Sequence, residues 1–289
     1  MLQDILKPNA AIEEITRTTP AYSFWGYTWR YLLISLAAVI PAMMMYFAVM
    51  MLFFTPTGRE LGEPVPVAEQ FLMRVVLNMA LTVSLLVVTH LYCHKKSGRS
   101  YFSMGVFKKG AAKQYLIGLL LGLAVCAVHF CIAVGFGTFE VNKALNAPLF
   151  LAYLFSMLAL APITEMLNAG YYFGGVASSK GVVYALVGCT CVSFLLSLAN
   201  FQSGVIYTIS SALMNVFLIL YFLYSGSIWG AAAFSGILSL IYHAMFIAEN
   251  PPAAYIAVFH TVYVLTPVLG IAVLLYLLWR RNRTRVEKN

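Results

Sequence analysis

The sequence predicts an all-α protein, a polytopic bundle of about eight transmembrane helices, and three observations predict it. Of 289 residues, 62% are hydrophobic and only 10% are charged, and mean hydropathy is +0.85, whereas soluble domains carry about 25% charged residues. The apolar residues fall in repeated runs of about 20, the length a helix needs to cross ~30 Å of hydrocarbon. A segment crossing lipid must satisfy its own backbone, as a helix or a closed-barrel strand, and these runs are too long and too uniformly apolar for barrel strands.

Taken in order, residues 1–30 form a cytoplasmic N-terminal segment with a short amphipathic stretch followed by Trp25 and Trp29, which suit a membrane–water interface. The reading expects no cleavable leader, because this segment is mostly polar and the first apolar run is long enough to span. Span 1 covers about 31–54, and an acidic loop with Glu60, Glu63 and Glu69 against Arg59 precedes span 2 at about 71–92. The loop at about 93–114 is strongly basic, with Lys95, Lys96, Arg99, Lys108, Lys109 and Lys113. Span 3 covers about 115–137, and span 4, at about 148–176, is unusually long. Spans 5 to 8 cover about 181–201, 204–224, 227–247 and 256–279. Residues 31–279 thus read as a single membrane domain, and a basic cytoplasmic tail, 280–289, follows.

Eight spans put both termini, the 2–3 loop, Lys180 in the 4–5 loop and the basic tail on one side, which the excess of Lys and Arg makes cytoplasmic. The acidic 1–2 loop and the turn Glu249-Asn250-Pro251-Pro252 fall on the other. The net charge of +8 is therefore a topology signal directed at anionic membrane lipids, each basic residue near the surface contributing ~1 kcal/mol, and not a nucleic-acid footprint. Five cysteines, Cys93, Cys126, Cys131, Cys189 and Cys191, are odd in number and form no CxxC pair, which argues against a disulfide framework or a zinc ribbon.

Nine of the ten acidic residues lie in tails or loops; the exception is Glu165, inside span 4. An ionisable group at membrane depth costs ~2.5–3.5 kcal/mol on insertion scales and by default marks function. Two readings stand open: a buried carboxyl acting as a base or proton-linked group, or a span that ends near Pro162 with Glu165 reaching the interface. Pro162 removes a backbone donor and interrupts the helix, and broken helices at membrane depth line cavities. His129 lies mid-span, His243 and His260 near outer span ends, and His90 at a span end beside His94 in the loop. None of the four in or near spans has another of them four residues away. Asn168, Asn200 and Asn215 are candidates for hydrogen bonds between helices. Gly118 and Gly122 make a GxxxG on span 3, and Ser227, Ala231, Ser235 and Ser239 form a small-residue stripe on span 7, both suited to close packing.

Several segments together resemble the CPBP family of intramembrane metalloproteases (CAAX prenyl-protease and bacteriocin-processing type, also called Abi). Ser100-Tyr101-Phe102-Ser103-Met104-Gly105-Val106 before a Gly-rich span is similar to the family's lead-in. Ala161-Pro162-Ile163-Thr164-Glu165-Met166-Leu167 resembles its paired-glutamate motif, 193–201 its phenylalanine, x3, histidine motif, and 226–235 its last motif, a histidine followed four residues later by asparagine. The resemblance covers about 95–245 and implies a CAAX-protease-like core, a site of glutamate and two histidines around a metal such as zinc, and a bacterial cytoplasmic membrane. Residue by residue the catalytic set is depleted. Glu165 takes one glutamate, with Met166 or Thr164 in place of the other and Gly170 or Ala169 in place of the arginine. Asn200 replaces the first histidine, and Ser235 and Ser239 replace the last histidine and asparagine. Zinc needs imidazole, thiolate or carboxylate donors, so no metal ligands and no cofactor are expected.

The chain therefore reads as a degenerate homologue, a pseudoenzyme that binds a hydrophobic or lipidated peptide or a partner membrane protein, or acts as a scaffold. Glu165 is the tentative catalytic residue, with Asn168, Asn200, Ser235, Ser239, His129 and His243 at cavity or motif-equivalent positions. An active endopeptidase with an altered site and a proton-linked transporter are the alternatives. The transporter would show inverted repeats and paired broken helices, and the sequence has one broken span.

Overall fold

A computed structural model describes residues 5–18, 21–54, 67–106, 109–137, 147–198, 204–240 and 253–286. The secondary structure among these residues is all helical. A short amphipathic helix α1 (Ala10–Thr18) precedes α2 (Phe24–Phe54) and α3 (Val67–Thr89), which runs on as a π-helical segment, π1 (His90–Lys96). After α4 (Ala111–Gly135) comes α5 (Ala147–Glu165), continued by a second π segment, π2 (Met166–Phe173), and by α6 (Gly174–Lys180). The chain ends with α7 (Val182–Leu198), α8 (Gly204–Ser225), α9 (Trp229–Leu240) and α10 (Ala253–Val286).

Six stretches are long and apolar enough to cross a membrane: Phe24–Leu52, Glu69–Lys96, Ala111–Gly135, Ala147–Lys180, Val205–Ser225 and Ile256–Thr284. At the places of the expected spans 5 and 7 stand shorter apolar helices, Val182–Leu198 and Trp229–Ser239. Large apolar side chains also cover the outside: Leu36, Met44 and Leu52 on α2, Leu120 on α4, Leu195 on α7 and Leu269 on α10 are all exposed. An apolar exterior of this extent suits lipid and is a liability in water.

Neighbouring helices follow one another around the bundle: α2 lies along α3, α3 along α5, α5 along α9, and α9 along α4; α4 also touches α10, which lies along α8, itself beside α7. Gly188 of α7 then meets the Phe24 ring of α2, a methyl group's distance being too close. Small residues allow the tightest approach, as the GxxxG on the third span predicts. A Cβ on Gly118 would sit 2.0 Å from the Gly230 carbonyl oxygen, and one on Gly122 3.0 Å from the Ile237 side chain.

One end of the bundle gathers the connections. Asn282 Nδ2 of α10 donates to the Ile5 carbonyl (2.7 Å) and Asn9 Nδ2 to the Phe222 carbonyl (2.9 Å). Glu14 of α1 accepts from Ser100 Oγ (2.5 Å), and the Ile228 N–H between α8 and α9 donates to the Gly105 carbonyl (3.1 Å). Lys180 and Gly181 line one cavity together with Leu6 and Pro8. The N-terminal segment is thus docked on the bundle, with Ala11, Ile12 and Ile15 buried.

Replacing Gly118 by alanine forces the α4 and α9 backbones apart, so unfolding in detergent should show a loss of about 1–3 kcal/mol. Alanine at Gly135, which has nothing within 4 Å, should change stability by no more than about 0.5 kcal/mol.

Candidate functional site

The fourth long apolar stretch stays helical from Ala147 to Lys180 but changes its winding just after Pro162. Proline brings no N–H to the helical ladder; three residues later α5 ends, and the backbone widens into π2. Wide i→i+5 turns in a helix frequently mark functional positions. Gly170 is required here, because a Cβ at that place would lie 2.3 Å from the Met104 carbonyl oxygen. The turn 101–105 is seated directly against π2.

Arg99 fastens that contact. Its side chain is 1% exposed, and its guanidinium donates to the Gly170 carbonyl (2.9 Å), the Tyr171 carbonyl (3.5 Å), Ser103 Oγ (3.2 Å) and the Ser103 carbonyl (3.5 Å). It also faces the Tyr171 ring at 5.5 Å. Burial pushes its pKa below the ordinary arginine value, opposed by the surrounding Tyr27, Cys93, Tyr171 and Glu14 groups; a guanidinium stays protonated nonetheless. A buried charge is tolerated only when its donors are used, and here backbone carbonyls use them. The expectation that the whole basic loop faces lipid headgroups therefore fails at Arg99. Its signal in the sequence was the apolar run Tyr101-Phe102-Ser103-Met104 after it, out of place in a solvated loop.

Glu165 sits at the junction of α5 and π2 and is 5% exposed. Of the two readings open from the sequence, burial is the one realised. The carboxyl makes no hydrogen bond with another described residue, and Tyr31 of α2 is an electrostatic neighbour. Tyr31 Oη donates to Asn168 Oδ1 at 2.6 Å, and its ring stacks on Tyr172, centroids 4.6 Å apart. Tyr172 Oη shares a 2.8 Å hydrogen bond with Thr28. Glu165 and Asn168 thus belong to one polar strip between α2 and π2, and the tyrosines in it carry no mark in the sequence that separates them from the chain's 18 tyrosines.

The remaining candidates are placed elsewhere or lie outside the described residues. Ser235 Oγ donates to the Ala232 carbonyl (3.2 Å) and Ser239 Oγ to the Ser235 carbonyl (2.9 Å), so each bonds its own helix. Their helix nonetheless lies beside α5, with Gly236 against Leu158 and Ala161. His129 is fully buried between α4 and α10, its Nδ1 2.9 Å from the Val125 carbonyl and its ring edge-on to Phe259 at 5.1 Å. Asn200 and His243 are outside the described residues. Among the described residues, no three His, Cys, Asp or Glu side chains group closely enough to hold a metal ion. The residues described around Glu165 do not fit a zinc site, which needs such donors.

His94 departs from its expected place. It lies in π1, not in a loop, four residues after His90 on the same segment. The two rings are 5.4 Å apart, and both stand beside Tyr101, whose Oη is 2.5 Å from His90 Nδ1. His94 Nδ1 lies 3.0 Å from the Arg99 carbonyl, so this cluster braces the turn that Arg99 anchors.

In comparisons with known proteins, no family model and no curated protein matches the chain.

The Tyr31–Asn168 bond links α2 to π2. A double-mutant cycle of Tyr31→Phe and Asn168→Ala, read by unfolding in detergent, should give a coupling of about 0.6–2 kcal/mol, the range for hydrogen bonds between membrane helices. Strict additivity would exclude the bond.

Proposed function

We propose that the chain is a CPBP-like membrane protein that has lost peptidase chemistry and uses the strip around Glu165 to bind a hydrophobic or lipidated peptide. The single observation that carries the reading is a buried carboxyl without a described hydrogen-bond partner, at the point where a long apolar helix passes from α to π winding. Such a group is costly and by default functional. In this reading it awaits a polar atom on an otherwise apolar ligand. The order of the motif-like segments along the chain supports the family. So does Arg99, whose guanidinium donates to the carbonyl of Gly170, the residue that stands in place of the family's one arginine in one of the two registers.

The topology belongs to the same proposal: eight crossings with both termini cytoplasmic, in a bacterial cytoplasmic membrane. Val182–Leu198, 17 residues long, spans about 25 Å at ~1.5 Å per residue, so a slightly thinned bilayer accommodates it. Eight crossings bring the N-terminal segment, the 2–3, 4–5 and 6–7 connections and the C-terminal tail to one face. The contacts of Asn282 with Ile5, Ser100 with Glu14, and Ile228 with Gly105 support that arrangement.

The test is binding of a fluorescent farnesylated peptide to protein reconstituted in nanodiscs, with the peptide recovered and weighed afterwards. Saturable binding, an intact peptide, and a loss of affinity of about tenfold in Glu165→Gln, in line with one hydrogen bond to a charged group, are expected. Cleavage that stops in Glu165→Ala would assign the endopeptidase alternative instead, and binding no stronger than to empty nanodiscs would refute the proposal.

A further inference from the structure

At the end of the bundle where the connections gather, α4, α8 and α10 leave a cleft of about 450 Å³ between them, lined by Gln114, Tyr224, Ser225, Leu277, Arg280, Arg281 and Thr284. Among the described residues of that lining, none is acidic. Arg281 is aimed by its own contacts: Nη1 donates to the Tyr224 carbonyl at 2.9 Å, and the guanidinium faces the Tyr224 ring at 5.8 Å. One turn closer to the chain's centre, Tyr221 Oη donates to Gln114 Oε1 at 3.0 Å, which fixes the amide by its oxygen and leaves its NH2 as a donor. Arg280 is exposed at the rim.

The surroundings set the depth of the cleft. Tyr276 and Trp279 of α10 are both exposed beside it, as aromatic side chains are where a helix leaves the hydrocarbon. Below them Val273 and Leu269 continue an exposed apolar face. A ligand that fits must carry a compact negative charge at the level of the arginines. Acyl chains running down α10 would give it a second hold. Basic pockets between membrane helices take anionic lipid headgroups in this way, and planar guanidinium groups suit phosphate oxygens.

We propose that this cleft binds a phosphate ester, held by Arg280, Arg281 and the Gln114 amide, and that its natural source is the headgroup of an anionic phospholipid. The site is separate from the strip around Glu165 and does not depend on the function assigned to that strip.

The experiment uses full-length protein, stripped of lipid in detergent and exposed to equal amounts of phosphatidylglycerol and phosphatidylcholine, with bound lipid read by native mass spectrometry. Wild type should retain phosphatidylglycerol at least about fivefold over phosphatidylcholine, in keeping with the effect of one basic residue at a lipid surface. Arg280→Gln, at an exposed position, should fold normally and bring that ratio towards one. Arg281→Lys should keep the Tyr224 end of the cleft filled and lose only part of the preference. A parallel sample with inorganic phosphate distinguishes the sources: displacement of the lipid by the free ion supports the phosphate site and assigns it to a soluble ligand, while persistence of the lipid supports the headgroup. Equal retention of both lipids by wild type, or an unchanged preference in Arg280→Gln, overturns the proposal.

Discussion

The arrangement depends on one buried cation. Arg99 leaves the polar connection after π1 and spends its donors on the carbonyls of Gly170 and Tyr171, inside the widened turn of π2. A π turn adds a residue to the helical circuit and misaligns carbonyls that an α-helix would use. Left alone in an apolar bundle, each such group would cost a hydrogen bond's worth of stability. The guanidinium resolves this with charge-assisted bonds, while Gly170 removes the side chain that would keep Met104 away. Break and clamp therefore account for each other.

From that joint the remaining features follow outward. The turn seated on π2 offers its Gly105 carbonyl to Ile228 and its Val106 carbonyl to the Trp229 indole at 2.7 Å, which fixes where α9 begins. The start of α9 brings Gly230 against Gly118, the closest contact between helices in the bundle's GxxxG face. On the other side of the joint, α5 passes into π2 three residues after Pro162, which leaves Glu165 buried with Tyr31 of α2 as an electrostatic neighbour. The candidate site is thus a by-product of the same backbone irregularity that needs Arg99.

Six of the eight expected spans were legible as long apolar runs, the other two stand as shorter apolar helices, and the placement of the six differs from expectation mainly at the ends. α2 begins at Phe24, and π1 carries the second long apolar stretch to Lys96. Glu165 was legible as a lone acid in an apolar run, and Pro162 located the break beside it. Arg99 was not, since a basic residue in a basic loop looks like every other topology signal until its neighbours in space are known. Tyr31 and His94 were missed for related reasons: a hydrogen bond from residue 31 to residue 168 leaves no local pattern, and a helix that continues as π structure hides an i, i+4 pair at what reads as a loop. Ser235 and Ser239 sit on α9 as expected, yet their hydroxyls bond their own helix, a competition that serine conducts in any apolar helix.

The most direct measurement is hydrogen–deuterium exchange by mass spectrometry on the full-length protein in nanodiscs, comparing wild type with Arg99→Met over residues 99–106 and 166–173. If the cation holds the π turn and the seated loop together, both segments are protected in wild type and lose protection together in the variant, while α2 and α10 stay unchanged. Loss of protection in 99–106 alone, with 166–173 as slow as before, would contradict the account, because the widened turn would then stand without the clamp.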